Sequence, residues 1–341
     1  MAAQTQRRRT PDAVPAAAPK APTPAPEARP KAPPPPPAGL YGDLGVRNET
    51  AEFGALGSGE RSGDVRGIVE HRTESPTMES ARNSYRTQIE AGRHVGAHYL
   101  IGADGATSLT VPTDQNTAHV RGNRDAAWKG ANAWSIGIEN VGMPTKIDPK
   151  GDIRKQVEAL TLSPAMRTRL LAMDDATLKS TLKGDGNEVH TDISGPQKRA
   201  NWNLVNQLCT THSLDPATQV VGHESVDHKT LGEGEPIIEF MTVMRQWPAK
   251  VQAAEARIDA MARDPAVTPE EIAAARRVLA EEQAAMEAVR VDKTAQENTQ
   301  LAGEEVLGEG GPATTRETTR TRFYDQFWQR TQRIDQLGVR K

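Results

Sequence analysis

Residues 96–112 read GAHYLIGADGATSLTVP, and the fold turns on how this stretch folds. Tyr99-Leu100-Ile101 is a short apolar run of the kind that fills a buried strand. Ala103-Asp104-Gly105 then brings turn chemistry: an Asp side chain can bond the backbone ahead of it, and a glycine takes positive φ without steric cost. Thr107 to Val111 returns to a β-favouring run. The stretch is a predicted β-hairpin.

Outward from it, alternating strand and helix signals continue. VRGIVEH (65–71) reads as a buried strand. SPTMESARNSYRTQIEAG (75–92) reads as a helix, with Ser75 as N-cap, Pro76 at the first helical position and Gly92 as the stop. WSIGIENVG (134–142) reads as a strand with Trp134, Ile136 and Ile138 on one face and Ser135, Gly137 and Glu139 on the other. SGPQKRANWNLVNQLCTTHSL (194–214) is an amphipathic helix carrying Trp202, Leu204, Val205, Leu208 and Cys209, and the short strand TQVVGH (218–223) follows. The predicted class is α/β, a mixed central sheet flanked by helices.

The flanks differ from this centre. Residues 1–40 hold 12 of the 24 prolines and no Phe, Trp, Leu or Ile before Leu40. Such an arm buries too little surface to offset its ordering entropy and should be disordered; with a Gly-rich connector it extends to residue 63. The expected main domain is 64–248, interrupted at 143–195 by a helical insertion (SPAMRTRLLAMDDATLKSTL, 163–182) expected to cover one side of the site. Val251, Ala254, Ile258 and Met261, then Ile272, Val278, Leu279 and Met286 behind the capping box Thr268–Glu271, predict a helical hairpin over 249–291. Residues 292–320 read as a polar linker. The tail RFYDQFWQRTQRIDQLGVRK (322–341) reads as a basic aromatic amphipathic helix that docks either on its own domain or on a partner.

Composition excludes several classes. A formal net charge of −3 gives no global case for nucleic acid as a partner, and the arm is only mildly basic. Cys209 is the only cysteine, which rules out an intramolecular disulfide and a Cys-rich zinc site. No apolar run approaches the ~20 residues needed to span a bilayer, and no apolar h-region follows Arg7, Arg8 and Arg9. The expectation is synthesis in the cytoplasm without a signal peptide.

His71 and His223 each follow a buried strand, and Glu139 lies on the polar face of a third. A histidine at a strand end often only satisfies a local hydrogen bond. Two of them near one carboxylate offer more. A catalytic zinc takes about three protein ligands and leaves a position for water, and the reaction needs a base and an oxyanion donor.

Five segments in order, VEHRT (69–73), GAHYLIGADGATSLTVP, NTAHVRGN (116–123), WSIGIENVG and VVGHES (220–225) with Lys229-Thr230, resemble the zinc-dependent N-acetylmuramoyl-L-alanine amidases of type 2. That family shares its fold with the peptidoglycan recognition proteins and the phage amidase-lysozymes, and the resemblance spans about residues 64–248. It implies that His71 and His223 bind Zn2+, that Glu139 activates water and that Lys229 steadies the tetrahedral intermediate. It also implies that His98, Tyr99, His119 and Asn140 lie along the peptidoglycan groove, although the Trp that the family pairs with His119 is Ala118 here. The third ligand departs from the pattern. Family members carry Asp or Cys two residues after the lysine, and that position is Leu231, which binds no zinc. Glu233, ten residues after His223, is the first substitute, and Glu235, which directly precedes Pro236, is the second. Asp227 and His228 lie too close to His223 to be first choices.

The implied activity is hydrolysis of the bond between N-acetylmuramic acid and L-alanine, by a lytic enzyme or effector that reaches the wall after lysis or through an injection system. If no third ligand exists, the domain binds peptidoglycan without cutting it. As a structural alternative, it is a component of a phage-like contractile particle, with its C-terminal helices and tail as assembly contacts.

Overall fold

The computed structural model describes residues 44–122, 124–184, 186–301 and 323–339. The Pro-rich arm and most of the expected polar linker lie outside these residues. Among the described residues one mixed sheet holds six strands: β1 (Arg47–Asn48), β2 (Gly67–Arg72), β3 (Tyr99–Ile101), β4 (Thr107–Leu109), β5 (Ser135–Asn140) and, beyond the small pair β6 (Thr145–Lys146) and β7 (Glu188–Val189), β8 (Val220–Gly222). The order across the sheet is β1-β4-β3-β5-β2-β8. β2 is parallel to β5 and β8, β3 is parallel to β5, and β3 and β4 form the antiparallel hairpin. In its turn, Ala106 N–H donates to Asp104 Oδ1 at 3.0 Å and Gly105 takes a φ of 84°.

Helices cover both faces. Ile68, Tyr99, Ile101, Ile136 and Ile138 share one hydrophobic cluster with Leu204, Val205 and Leu208 of the long helix 195–212 and with Ile237, Phe240 and Met241 of the helix that starts at Glu235. On the other face Leu100 and Val141 pack with Met78 and Ala81. In chain order the helices are α1 (Thr50–Phe53), α2 (Met78–Glu90), α3 (Ile153–Ala159), α4 (Pro164–Ala172), α5 (Asp175–Gly184), α6 (Gly195–His212), α7 (His223–Val226), α8 (Glu235–Met261), α9 (Pro269–Leu301) and α10 (Phe327–Gln336). The N-cap of α2 is Thr77, whose side chain accepts from Ser80 N–H at 3.1 Å; Ser75 is instead turned back onto Thr73 Oγ1.

Several expected boundaries move. The connector before residue 64 contributes β1 and α1, and Phe53 and Leu56 are buried beneath Tyr85 and Val111. α8 runs unbroken through Trp247 and Pro248, so the expected boundary at 248/249 falls inside a helix. α9 continues to Leu301, which makes the start of the expected linker helical. The tail lies against its own chain: Phe323, Tyr324, Phe327 and Ile334 are buried in the cluster that includes Phe240 and Trp247. Arg330 pairs with the buried Glu282 at 2.6 Å, and Lys250 with Asp335 at 2.7 Å. No helix among the described residues is long and apolar enough to cross a membrane.

Candidate functional site

Because β2 and β5 are in parallel register, His71 sits opposite Glu139. Paired residues project to the same face, so the histidine and the carboxylate reach the same side of the sheet. The strand–helix junction at Gly222-His223 brings the second imidazole there from β8. His71 Nδ1 lies 2.6 Å from His223 Nδ1, and His223 Nδ1 lies 2.8 Å from Glu233 Oε1. All three residues are buried, and their ligand atoms lie within 4.8 Å of one another.

Two glycines let Glu233 enter. Gly232 takes a φ of 80°, and a Cβ there would collide with the Met166 methyl. At Gly234 a Cβ would collide with Gly222 Cα and the Glu70 carbonyl. Backbone passes backbone so closely that only glycine fits. Leu231 packs into the cluster of the 143–195 excursion (Ile147, Val157, Leu162, Met166, Leu170, Leu178, Leu182 and Val189), and its carbonyl accepts His190 N–H at 2.9 Å. The excursion thus buttresses the Glu233 loop from behind. Contrary to expectation, it contributes no residue to the lining of the cavity.

Glu235 is not part of the cluster. It opens α8 and pairs with Arg169 at 2.5 Å. Lys229 stands at the edge, its Nζ 3.9 Å from Glu233 Oε1. His71, His119, Glu139, His223, His228 and Lys229 all line one cavity of about 590 Å3, with Ser84, Tyr85 and Gln88 of α2 on its far wall. Three residues expected at the groove are elsewhere. His98 is buried, its Nδ1 accepting Gly137 N–H at 3.0 Å. Tyr99 points into the core, because neighbouring strand residues alternate faces. Asn140 lies on the core face, donating to Glu70 Oε2 at 2.9 Å. His119 lines the cavity, but its Nδ1 faces His71 Nε2 at 3.0 Å. Asp227, passed over in the sequence, accepts from His223 Nε2 at 2.9 Å and from Arg121 N–H at 2.7 Å. Its i+4 spacing from His223, one helical turn, is the signal that marks it.

Burial and neighbours set the charges. Burial, aided by His223, pushes His71 down to about 3, so it is neutral. Burial, aided by the Glu233 carboxylate, lifts Glu139 to about 8, against the pull of Lys229. Burial opposes ionisation of Glu233, but the adjacent His223 and His71 outweigh it and hold the carboxyl well below its usual range. The donor set fits a divalent cation. Asp227 accepts from His223 Nε2, His223 Nδ1 faces Glu233 Oε1 at 2.8 Å, and Glu233 Oε2 is buried with no hydrogen-bond partner. Electron pairs converge on a point that a cation would satisfy.

The family model of N-acetylmuramoyl-L-alanine amidase matches residues 61–234, just over half of the chain. The chain belongs to this amidase family. The matched segment of the amidase-family chain ends at Gly234, immediately after Glu233. Among solved structures the chain is similar to the N-acetylmuramoyl-L-alanine amidase LysC from Clostridium intestinale URNW, with 13% identity over 55% of this chain and 93% of that one and a TM-score of 0.32. It is similar to the Ph2119 endolysin from Thermus scotoductus MAT2119 bacteriophage Ph2119, with 16% identity over 57% and 98% and a TM-score of 0.33. It is similar also to PGRP-SA of Apis mellifera, with 14% identity over 53% and 86% and a TM-score of 0.33. No curated protein matches.

Proposed function

We propose that the chain is a zinc-dependent amidase that hydrolyses the bond between N-acetylmuramic acid and the L-alanine of the stem peptide. The observation that carries this reading is the convergence of His71, His223 and Glu233 within the cavity walled by Glu139 and Lys229. When bound, zinc supplies Lewis acidity, which polarises the lactyl carbonyl and acidifies water.

The chain's own residues do the rest. His71, His223 and Glu233 hold the ion, and Asp227 fixes the ring of His223 by accepting its Nε2–H. Glu139 takes a proton from the attacking water as the oxygen bonds to the carbonyl carbon. Burial, aided by the Glu233 carboxylate, keeps its carboxyl protonated up to about 8, and a nearby cation favours the carboxylate that can act as base. Lys229 offers a positive charge to the developing oxyanion. The C–N bond then breaks, and the proton held by Glu139 passes to the departing amine. The products are a lactyl carboxylate and a free L-alanine amino terminus. In this reading the enzyme meets its substrate after lysis or delivery to the wall.

The test is incubation of the full chain with purified sacculi, with and without a zinc chelator, reading new L-alanine amino termini. Chelator-sensitive release supports the reading. Sacculi bound without release would overturn it and leave a peptidoglycan-binding module.

A further inference from the structure

The ring nitrogens of His71 are held by a hydrogen-bond chain whose direction is fixed from its far end. Ser135 Oγ lies 2.8 Å from the Ala131 carbonyl, which can only accept, so the single hydroxyl proton is spent there. Toward His119 Nε2, at 3.2 Å, Ser135 must therefore accept, and His119 carries its proton on Nε2. A neutral His119 then presents a bare Nδ1 to His71 Nε2 at 3.0 Å, and His71 must donate. The proton of His71 is on Nε2. Its Nδ1, the atom facing His223 Nδ1 and Glu233 Oε1, is left with a free electron pair.

The ring that transmits this order is seated by the sheet. A Cβ at Gly137 would lie 2.8 Å from His119 Cγ and Nδ1, so the imidazole lies flat against β5 where a glycine leaves room. Asn132 holds the segment in place, its Oδ1 accepting from the backbone N–H groups of His119 and Val120 at 2.9 and 2.8 Å.

We propose that His119 and Ser135 are positioning residues that lock His71 in the Nε2–H tautomer and so keep its Nδ1 free for a metal. His223 receives the same treatment from Asp227, but through a carboxylate; the His71 arm uses a serine relay anchored on a backbone carbonyl. A metal ligand can only be the unprotonated nitrogen, so a relay that excludes the other tautomer raises affinity without touching the metal.

This inference rests on the metal reading of the cluster, and the experiment separates the two. The first measurement is the tautomer of His71 in the metal-free, 15N-histidine-labelled full chain, from long-range 1H–15N correlations. The second is zinc affinity by competition with a chromogenic chelator, for the parent, His119→Ala, Ser135→Ala and Ser135→Thr. The expected result is an Nε2–H His71 in the parent, a tautomer mixture in the two alanine variants and about 10–100-fold weaker zinc binding in them, with Ser135→Thr close to the parent. A His71 protonated on Nδ1 in the parent would overturn the proposal without needing any variant. So would unchanged tautomer and affinity in both alanine variants. A parent with the expected tautomer and no affinity for zinc would instead sink the metal reading.

Discussion

Leu231 and Glu233 lie one residue apart and serve opposite environments: Leu231 packs into the apolar cluster of the 143–195 excursion, and Glu233 lies 2.8 Å from His223 Nδ1. Gly232, at positive φ between them, reverses the chain so that both placements hold at once. The resemblance expects a ligand at the leucine position. The chain instead anchors its loop there and brings a longer carboxylate from two residues on.

Replacing Glu233 with alanine should therefore abolish zinc retention, and replacing Glu235 should not. Loss of an outer-shell partner costs about 10–100-fold in metal affinity, so loss of a ligand should cost more than about 100-fold. Glu235 pairs with the half-exposed Arg169, and Glu235→Ala should stay within about threefold of the parent. Zinc content after dialysis and release from sacculi read both.

Glu139→Gln should separate binding from chemistry. Glutamine keeps the shape and removes the base, so release of L-alanine termini should fall about 10²–10⁴-fold while zinc affinity stays within about threefold. A parallel loss of zinc would mean that Glu139 serves the cluster rather than the substrate.

Glu70 should impose a pH dependence on stability. It sits fully buried on the core face, and burial, opposed by hydrogen bonds from Asn201 and Asn140, raises its carboxyl from 4.5 to about 7. The folded state holds this proton more tightly than the unfolded state. The neutral form is favoured at low pH, and stability is lost as pH rises from about 4.5 to about 7, by something on the order of 3 kcal/mol. Glu70→Gln should flatten that part of the profile. Denaturant midpoints of parent and variant at pH 4.5 and 8 provide the check, and a constant difference between them would refute the assignment.

The tail should be part of the folded unit. Phe327 is fully buried and meets the rings of Phe240, Trp247 and Phe323. Phe327→Ala should cost about 3–5 kcal/mol, and Arg330→Ala should also destabilise by taking from the buried Glu282 the closer of its arginine partners, leaving Arg333 at 3.2 Å. Thermal unfolding reads both. A tail held for a partner instead would leave the melting temperature unchanged.

Much of this was local and therefore legible. The hairpin at 99–109 follows from an apolar run, an Asp and a glycine. The face of β5 follows from a period of two. The resemblance then named His71, His223, Glu139 and Lys229, and all four line one cavity. What the tertiary structure decided depends on distances between segments far apart in the chain. Burial took His98, Tyr99 and Asn140 out of the groove, because residues beside a site in sequence point alternately toward it and away. Backbone clearance at Gly232 and Gly234, set by Met166 and by the crossing of Gly222 and Glu70, selected Glu233 over Glu235 as the carboxylate that meets the histidines. Packing of the tail's aromatics with Phe240 and Trp247 of α8 decided between its two expected docking sites in favour of its own domain. Local pattern fixes which way a side chain faces; only the folded chain fixes what it meets there.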